Sequence, residues 1–170
     1  MDLQTPQREK ERKESQKEQG PVALIRPSIE GTPSAGAKIT LRIPVVENPT
    51  NLTPINCNFR VYYPPEVLEY VAANGAQLGG VYPGPEEKNT SDPKRPAVYR
   101  DVVSSANFQN NDKTPECFEM VFKMREDYDG EPFNLFVEGD PSSSAPLLGP
   151  DSTSRIPHRF DNSRVQQITP

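Results

Sequence analysis

Side chains that could catalyse a reaction or bind a metal ion are few in this sequence and lie far apart. The only histidine is His158, and the two cysteines are Cys57 and Cys117. A structural zinc site needs about four such ligands, and a Ser-His-Asp hydrolase of the Gly-x-Ser-x-Gly type presents its serine on a turn that this sequence lacks. The sequence also has no glycine-rich phosphate-binding motif. We therefore expect His158 to be a hydrogen-bonded or exposed loop histidine and the chain not to be an enzyme.

Four carboxylates cluster between Glu126 and Glu131, in the stretch REDYDGE. Carboxylate oxygens are ligands that calcium prefers, and a glycosidase uses a pair of carboxylates. The cluster lacks the spacing of an EF-hand loop, and nothing in the sequence singles out a pair that would flank a sugar. We interpret the stretch as an acidic turn between two strands, and we predict no metal and no cofactor for this chain.

A different chemistry is indicated by the segment INCNFRVYYPPEVLEY, residues 55–70, whose first half alternates apolar and polar residues. Alternation with period two predicts a β-strand with one buried and one exposed face. The exposed face would carry Asn56, Asn58, Arg60 and Tyr62. Asparagine both donates and accepts hydrogen bonds, and Arg and Tyr are enriched where proteins bind each other. This face is therefore a candidate surface for a protein partner.

The same period of two continues through the chain from Val22 onward. Short apolar segments recur about every 8–12 residues between turns rich in Pro, Gly and Asn, which predicts an all-β, jelly-roll β-sandwich of about nine strands. Pro44 predicts an edge strand or a bulge, and the pair Asn74-Gly75 is the strongest turn signal. The alternation directs Cys57 inward and Cys117 outward, which favours two free thiols.

The composition limits the domain organisation and the class of partner. The chain has 170 residues, 20 prolines and a net charge of -5. Residues 1–20 hold five basic and five acidic side chains and almost no apolar ones, which predicts a disordered charged tail or linker before one domain at 21–170. Because the chain is acidic, nucleic acid is not expected as a partner. No apolar run is long enough to cross a membrane, and residues 1–20 lack the apolar core of a signal peptide.

The stretch from Asn56 to Glu69 resembles the third strand and following turn of cohesin modules, the scaffoldin domains that bind dockerins in the cellulosome. The family pattern there has Asn, an apolar or Cys position, Asp and Phe, then Tyr-Asp-Pro and Val-Leu-Glu. This sequence has NCNF at 56–59, YPP at 63–65 and VLE at 67–69, so that Asn58 replaces the family's Asp. Other segments, among them AKITLRIPVVEN and CFEMVFKM, are similar to further strands of type I-like cohesins.

The resemblance implies a non-catalytic module that holds dockerin-bearing, carbohydrate-active enzymes on a scaffold. It implies that the dockerin packs on one flat sheet face and that calcium belongs to the dockerin. It adds Tyr99 to the exposed set, with Asp101 beside it on the same alternation, and the alternation of a later strand directs Glu119 outward. The predicted dockerin-binding residues are then Asn56, Asn58, Arg60, Tyr62, Tyr99, Asp101 and Glu119. It also implies an extracellular or cell-surface location, with the signal outside this stretch of sequence and polysaccharide held nearby by other modules.

Two other functions are compatible with a small sandwich. The first alternative is a carbohydrate-binding β-sandwich module, which would stack sugars on aromatic side chains. The chain has no Trp, so Tyr62, Tyr82 and Tyr99 would have to serve. The second is a hydrolase that works through a carboxylate or His158. Retention on cellulose or xylan would favour the first alternative, and turnover of a glycoside or ester would favour the second.

Overall fold

The period-two segments are β-strands in the computed structural model, which describes residues 20–104, 109–151 and 154–170. Its regular elements are β1 (Ala23–Ile25), β2 (Ser28–Glu30), β3 (Lys38–Glu47), β4 (Asn56–Tyr63), β5 (Leu68–Gly75), β6 (Val81–Pro83), β7 (Glu87–Lys88), β8 (Val98–Ser104), β9 (Glu116–Met124), β10 (Phe136–Gly139), β11 (Leu147–Leu148), β12 (His158–Phe160) and a 3₁₀ helix (Ser163–Val165). The described residues contain more strands than the nine or so expected. The reason is that β6, β7 and β11 have only two or three residues and lie in segments that the sequence predicts as loops.

The strands form two sheets. The first has the order β12-β1-β3-β9-β5, with β2 also paired to β3, and the second has the order β10-β4-β8-β6, with β11 on β4 and β7 on β8. All of these pairs are antiparallel except β1 with β12. The all-β, jelly-roll sandwich predicted from the sequence is therefore confirmed.

The core lies between the two sheets and is built from the apolar half of each alternating strand. Phe59 of β4 is fully buried, and its ring centroid lies 6.2 Å from that of Phe118 on β9. Tyr63 and Phe122 meet in the same way, with centroids 5.1 Å apart. Because these pairs join the two sheets, the outward faces of β4 and β8 are held on a rigid, packed layer.

Strand β9 departs from simple alternation at Cys117. The register between β3 and β9 shifts between Arg42 and Pro44, so that Cys117 and Phe118 together oppose one residue of β3. The bulge predicted at Pro44 is confirmed, although β3 is an inner strand and not an edge. A bulge of this kind interrupts the alternation of side chains. Cys117 and Phe118 are consequently both fully buried, and the prediction that Cys117 points outward is wrong.

The Asn74-Gly75 pair is the end of β5 and does not form the predicted hairpin turn. Gly75 is not among the glycines with positive φ. A Cβ at position 75 would lie 2.3 Å from the carbonyl oxygen of Gly79. The glycine is therefore required by the close approach of two backbone segments, and the turn prediction is wrong.

The predicted tail, residues 1–20, lies outside the described residues except for Gly20, so the domain boundary there stays a prediction. Among residues 20–104, 109–151 and 154–170, no helix has the length and hydropathy that crossing a membrane requires.

Candidate functional site

The outer face of the second sheet brings together every predicted dockerin-binding residue except Glu119. Residues opposite each other in an antiparallel pair project from the same side of the sheet. Arg60 is opposite Asp101, and Tyr62 is opposite Tyr99. Asn56 and Asn58 share that side of β4, since side chains alternate along a strand. The outer face also includes the partners of these residues on the neighbouring strands, which are Tyr82, Val103, Phe136 and Glu138.

Glu119 lies apart from the other predicted residues. It belongs to β9 of the first sheet, where it is paired with Arg42. One of its carboxylate oxygens is 3.7 Å from the Arg42 Nη1 atom. Because the two sheets turn their outer faces away from each other, the structure does not bring Glu119 to the surface that carries the asparagines.

Arg60 is held at the centre of this face by three different contacts. Its Nε and Nη2 atoms donate to the two carboxylate oxygens of Asp101 at 2.7 and 3.1 Å, and Nη2 lies 3.6 Å from Oδ1 of Asp140. Its guanidinium carbon is 4.0 Å from the centre of the Tyr99 ring. The hydrogen bonds to Asp101 raise the pKa of Arg60 above its ordinary value. A bidentate arginine–carboxylate pair fixes the orientation of the guanidinium group as well as its distance from the carboxylate. The Arg60 side chain is therefore held in one position on this face.

Tyr62 lies on the outer face, but neighbouring side chains cover it. Only 1% of the residue is exposed, although alternation predicts a displayed side chain. Its hydroxyl donates to Glu138 at 2.9 Å, and its ring centroid is 5.3 Å from that of Tyr99. Arg95 donates to the same carboxylate at 2.6 Å and places its guanidinium 4.3 Å from the centre of the Phe136 ring. Desolvation raises the pKa of Tyr62, which keeps the hydroxyl a donor at neutral pH.

Arg95 reaches this position because the segment before β8 is folded against itself. The Asn89 side chain donates to the carbonyl oxygens of Asp92 at 2.7 Å and Pro96 at 3.0 Å. Sequence reasoning missed Arg95, Phe136 and Glu138 as part of this face. Alternation in β10 could have found the last two, whereas no local pattern indicates Arg95.

The other end of the face is open to solvent. Tyr82 is 64% exposed and is opposite Val103, which is in turn opposite Asn58. Next to them, the Oδ1 atom of Asn56 is buried and accepts no hydrogen bond, the one such side-chain atom in the part of the chain that the structure describes. A buried acceptor without a partner costs about 1–3 kcal/mol.

The histidine that was considered for catalysis packs against aromatic side chains, and the acidic stretch does not form a metal site. The His158 ring lies 6.4 Å from Phe59 and 5.5 Å from Phe160, between centroids, and its Nδ1 atom is 2.8 Å from the carbonyl oxygen of Ile156. Burial lowers the pKa of His158, so the ring is neutral at neutral pH. Across the described ranges, no three His, Cys, Asp or Glu side chains are grouped so that they could hold a metal ion, and this includes the acidic stretch from Glu126 to Glu131.

Comparison with known proteins identifies the fold. No protein-family model matches this sequence, and no curated protein matches it. Solved structures of cohesin domains are similar along most of the chain, at sequence identities of 12–15% in the three cases below. The chain therefore has the cohesin fold, including that of type I scaffoldin cohesins, as the resemblance at residues 56–69 predicts.

Three of these structures show the range of the similarity. The seventh ScaB type I cohesin of Pseudobacteroides cellulosolvens has a TM-score of 0.58 and 15% identity, over 87% of this chain and 91% of that one. The third ScaC cohesin of Acetivibrio cellulolyticus, solved in complex with a ScaB dockerin, has a TM-score of 0.54 and 12% identity, over 82% and 94%. A non-cellulosomal cohesin of the archaeon Archaeoglobus fulgidus has a TM-score of 0.50 and 13% identity, over 82% and 86%.

Proposed function

We propose that this protein is a non-catalytic docking module that binds dockerin domains of carbohydrate-active enzymes and attaches them to a scaffold. The observation that carries the proposal is the convergence of Asn56, Asn58, Arg60 and Asp101 on one sheet face. Cohesins of the same fold have been solved in complex with dockerins, which supports the choice of partner.

The face has the physical properties that tight association needs. Its charged centre is already ordered by the Arg60–Asp101 pair, so little conformational entropy remains to be lost on binding. Its open end offers an aromatic residue, Tyr82, next to two amides, Asn56 and Asn58, that can both donate and accept hydrogen bonds. A partner covering a surface of standard size would bury about 800 Å² on this side.

The chemistry of the open end favours a helix that presents hydroxyl groups. Asn58 lies on this face opposite Val103, and a serine or threonine hydroxyl can both donate to and accept from such an amide. Asn58 stands where the cohesin pattern has Asp, so it can also donate to the partner. In this proposal the module works outside the cell or at its surface, and the calcium of the complex belongs to the dockerin.

The function is tested by isothermal titration calorimetry of the folded protein against a panel of dockerins in the presence of calcium. We expect at least one dockerin to bind with one-to-one stoichiometry, and we expect the heat to disappear when a chelator removes calcium and unfolds the dockerin. A parallel sedimentation assay with cellulose and xylan is the control for the carbohydrate-binding alternative. Retention on a polysaccharide, with no heat from any dockerin, would replace the docking proposal by that alternative.

A further inference from the structure

The two cysteines meet in the core, between the sheets. Cys57 lies on β4 of the second sheet and Cys117 on β9 of the first, and both are fully buried. Both are free thiols, and Cys57 is the first of the groups that raise the pKa of the Cys117 thiol, so the two side chains are neighbours. The bulge in β9 creates this contact, because a strand with unbroken alternation would have turned Cys117 to the outside.

The backbones also approach each other at this point. Face-to-face sheets are on average about 10 Å apart, whereas a disulfide joins residues whose Cα atoms are about 4.4–6.8 Å apart. Ser104 is directly opposite Cys57 in the second sheet, and its hydroxyl donates to the carbonyl oxygen of Cys117 at 2.9 Å. Because a serine side chain is short, this bond places the β9 backbone well inside the usual spacing of the two sheets.

We propose that Cys57 and Cys117 form a disulfide that links the two sheets when the protein folds in an oxidising environment. The oxidant is a small-molecule disulfide such as oxidised glutathione. One cysteine thiolate attacks the oxidant, forms a mixed disulfide and releases one small thiol. The second cysteine thiolate then attacks the protein sulfur of the mixed disulfide and releases the second small thiol. In total, the two cysteine thiols lose two electrons and two protons. The oxidant takes up these electrons and protons and leaves as two small thiols.

The bond forms during folding and not in the finished domain. The thiolate is the attacking species, and the neighbouring Cys57 thiol together with burial raises the pKa of Cys117 well above its ordinary value. Neither sulfur is exposed in the folded state, so oxidant and reductant both need an opening of the sandwich to reach them. Once formed, the bond would be protected from reductants for the same reason.

The test is refolding of the unfolded, reduced protein with and without oxidised glutathione, followed by tryptic digestion without reductant. Trypsin places Cys57 in the peptide Ile43–Arg60 and Cys117 in Thr114–Lys123. We expect these two peptides to be linked after oxidative refolding and separate after reduction. The loop of about 60 residues closed by the bond should raise the melting temperature by about 10 °C.

The matched control is the double variant Cys57→Ala with Cys117→Ala, which should melt at the same temperature in oxidising and reducing buffers. Two results would overturn the proposal. One is that both thiols stay free after oxidative refolding, as measured by alkylation of the unfolded protein. The other is a linked protein that melts at the same or a lower temperature than the reduced one, since the native geometry would then oppose the bond.

Discussion

Phe59→Ala is expected to lower the free energy of unfolding by about 3–5 kcal/mol, the usual cost of truncating a buried phenylalanine. Phe59 is fully buried, and its ring centroid lies 6.2 Å from that of Phe118 and 5.0 Å from that of Phe160. These contacts connect β4 to the inner strand β9 and to the edge strand β12 of the first sheet, so the cavity cannot close by a shift of one strand. Urea unfolding followed by circular dichroism measures the change.

Tyr82→Ala is the matched control for this prediction. It removes an aromatic ring from the same sheet, but at a residue that is 64% exposed. Surface substitutions of this kind usually change stability by less than about 0.5 kcal/mol. If the two variants unfolded at the same urea concentration, Phe59 would not be the packed centre of the sandwich.

Arg60→Met is expected to lower the free energy of unfolding by about 2–3 kcal/mol. The substitution keeps much of the aliphatic volume but removes the charge between Asp101 and Asp140, which then face each other without a cation. Breaking a buried ion pair costs about 3–5 kcal/mol. We expect less here because the Arg60 side chain is 16% exposed and water screens the remaining charges.

Arg42→Met provides the control on the opposite sheet. Arg42 also contacts several carboxylates, those of Glu30 and Glu116 at 3.0 Å, but its side chain is 41% exposed. Exposed ion pairs contribute about 0–1 kcal/mol, so this variant should lose less than about 1 kcal/mol. A loss for Arg42→Met as large as that for Arg60→Met would show that charge pairing on the two faces is equivalent.

Alternating segments and turns along the chain from Val22 predict the fold class, and the alternation in β4 predicts the side of the sheet on which Asn56, Asn58 and Arg60 lie. It succeeds because the pleat of a strand fixes the direction of each side chain from its position alone. It fails at Cys117, because the bulge in β9 depends on how that strand pairs with Pro44 of β3. Pairing partners that are distant in sequence leave no mark on a local pattern.

The residues of the outer face also show that a local sequence pattern does not indicate contacts between distant parts of the chain. Alternation cannot tell to which sheet an outward residue belongs, so it directs Glu119 outward without indicating that β9 lies in the opposite sheet. It also cannot indicate that Arg95, from a folded connecting segment, covers Tyr62. Asn74-Gly75 is a third example, because its glycine is needed for a contact with Gly79 and not for a turn.

The central claim, that the outer face of the second sheet is the docking surface, is tested most directly by placing the same charge on each face. Val103 and Val121 are half-buried valines on the outer sides of β8 and β9, so Val103→Arg and Val121→Arg are the same change on opposite sheets. Circular dichroism melting would establish that both variants are folded.

The measurement is calorimetric titration of both variants with a dockerin that binds the unmodified protein. Val103→Arg should weaken binding by about 100-fold or more, because it puts a bulky charge between Asn58 and Tyr82 at the open end of the face. Val121→Arg should change the affinity by less than about threefold, since residues outside an interface contribute little to binding. Loss of binding in Val121→Arg, with Val103→Arg unaffected, would contradict the account.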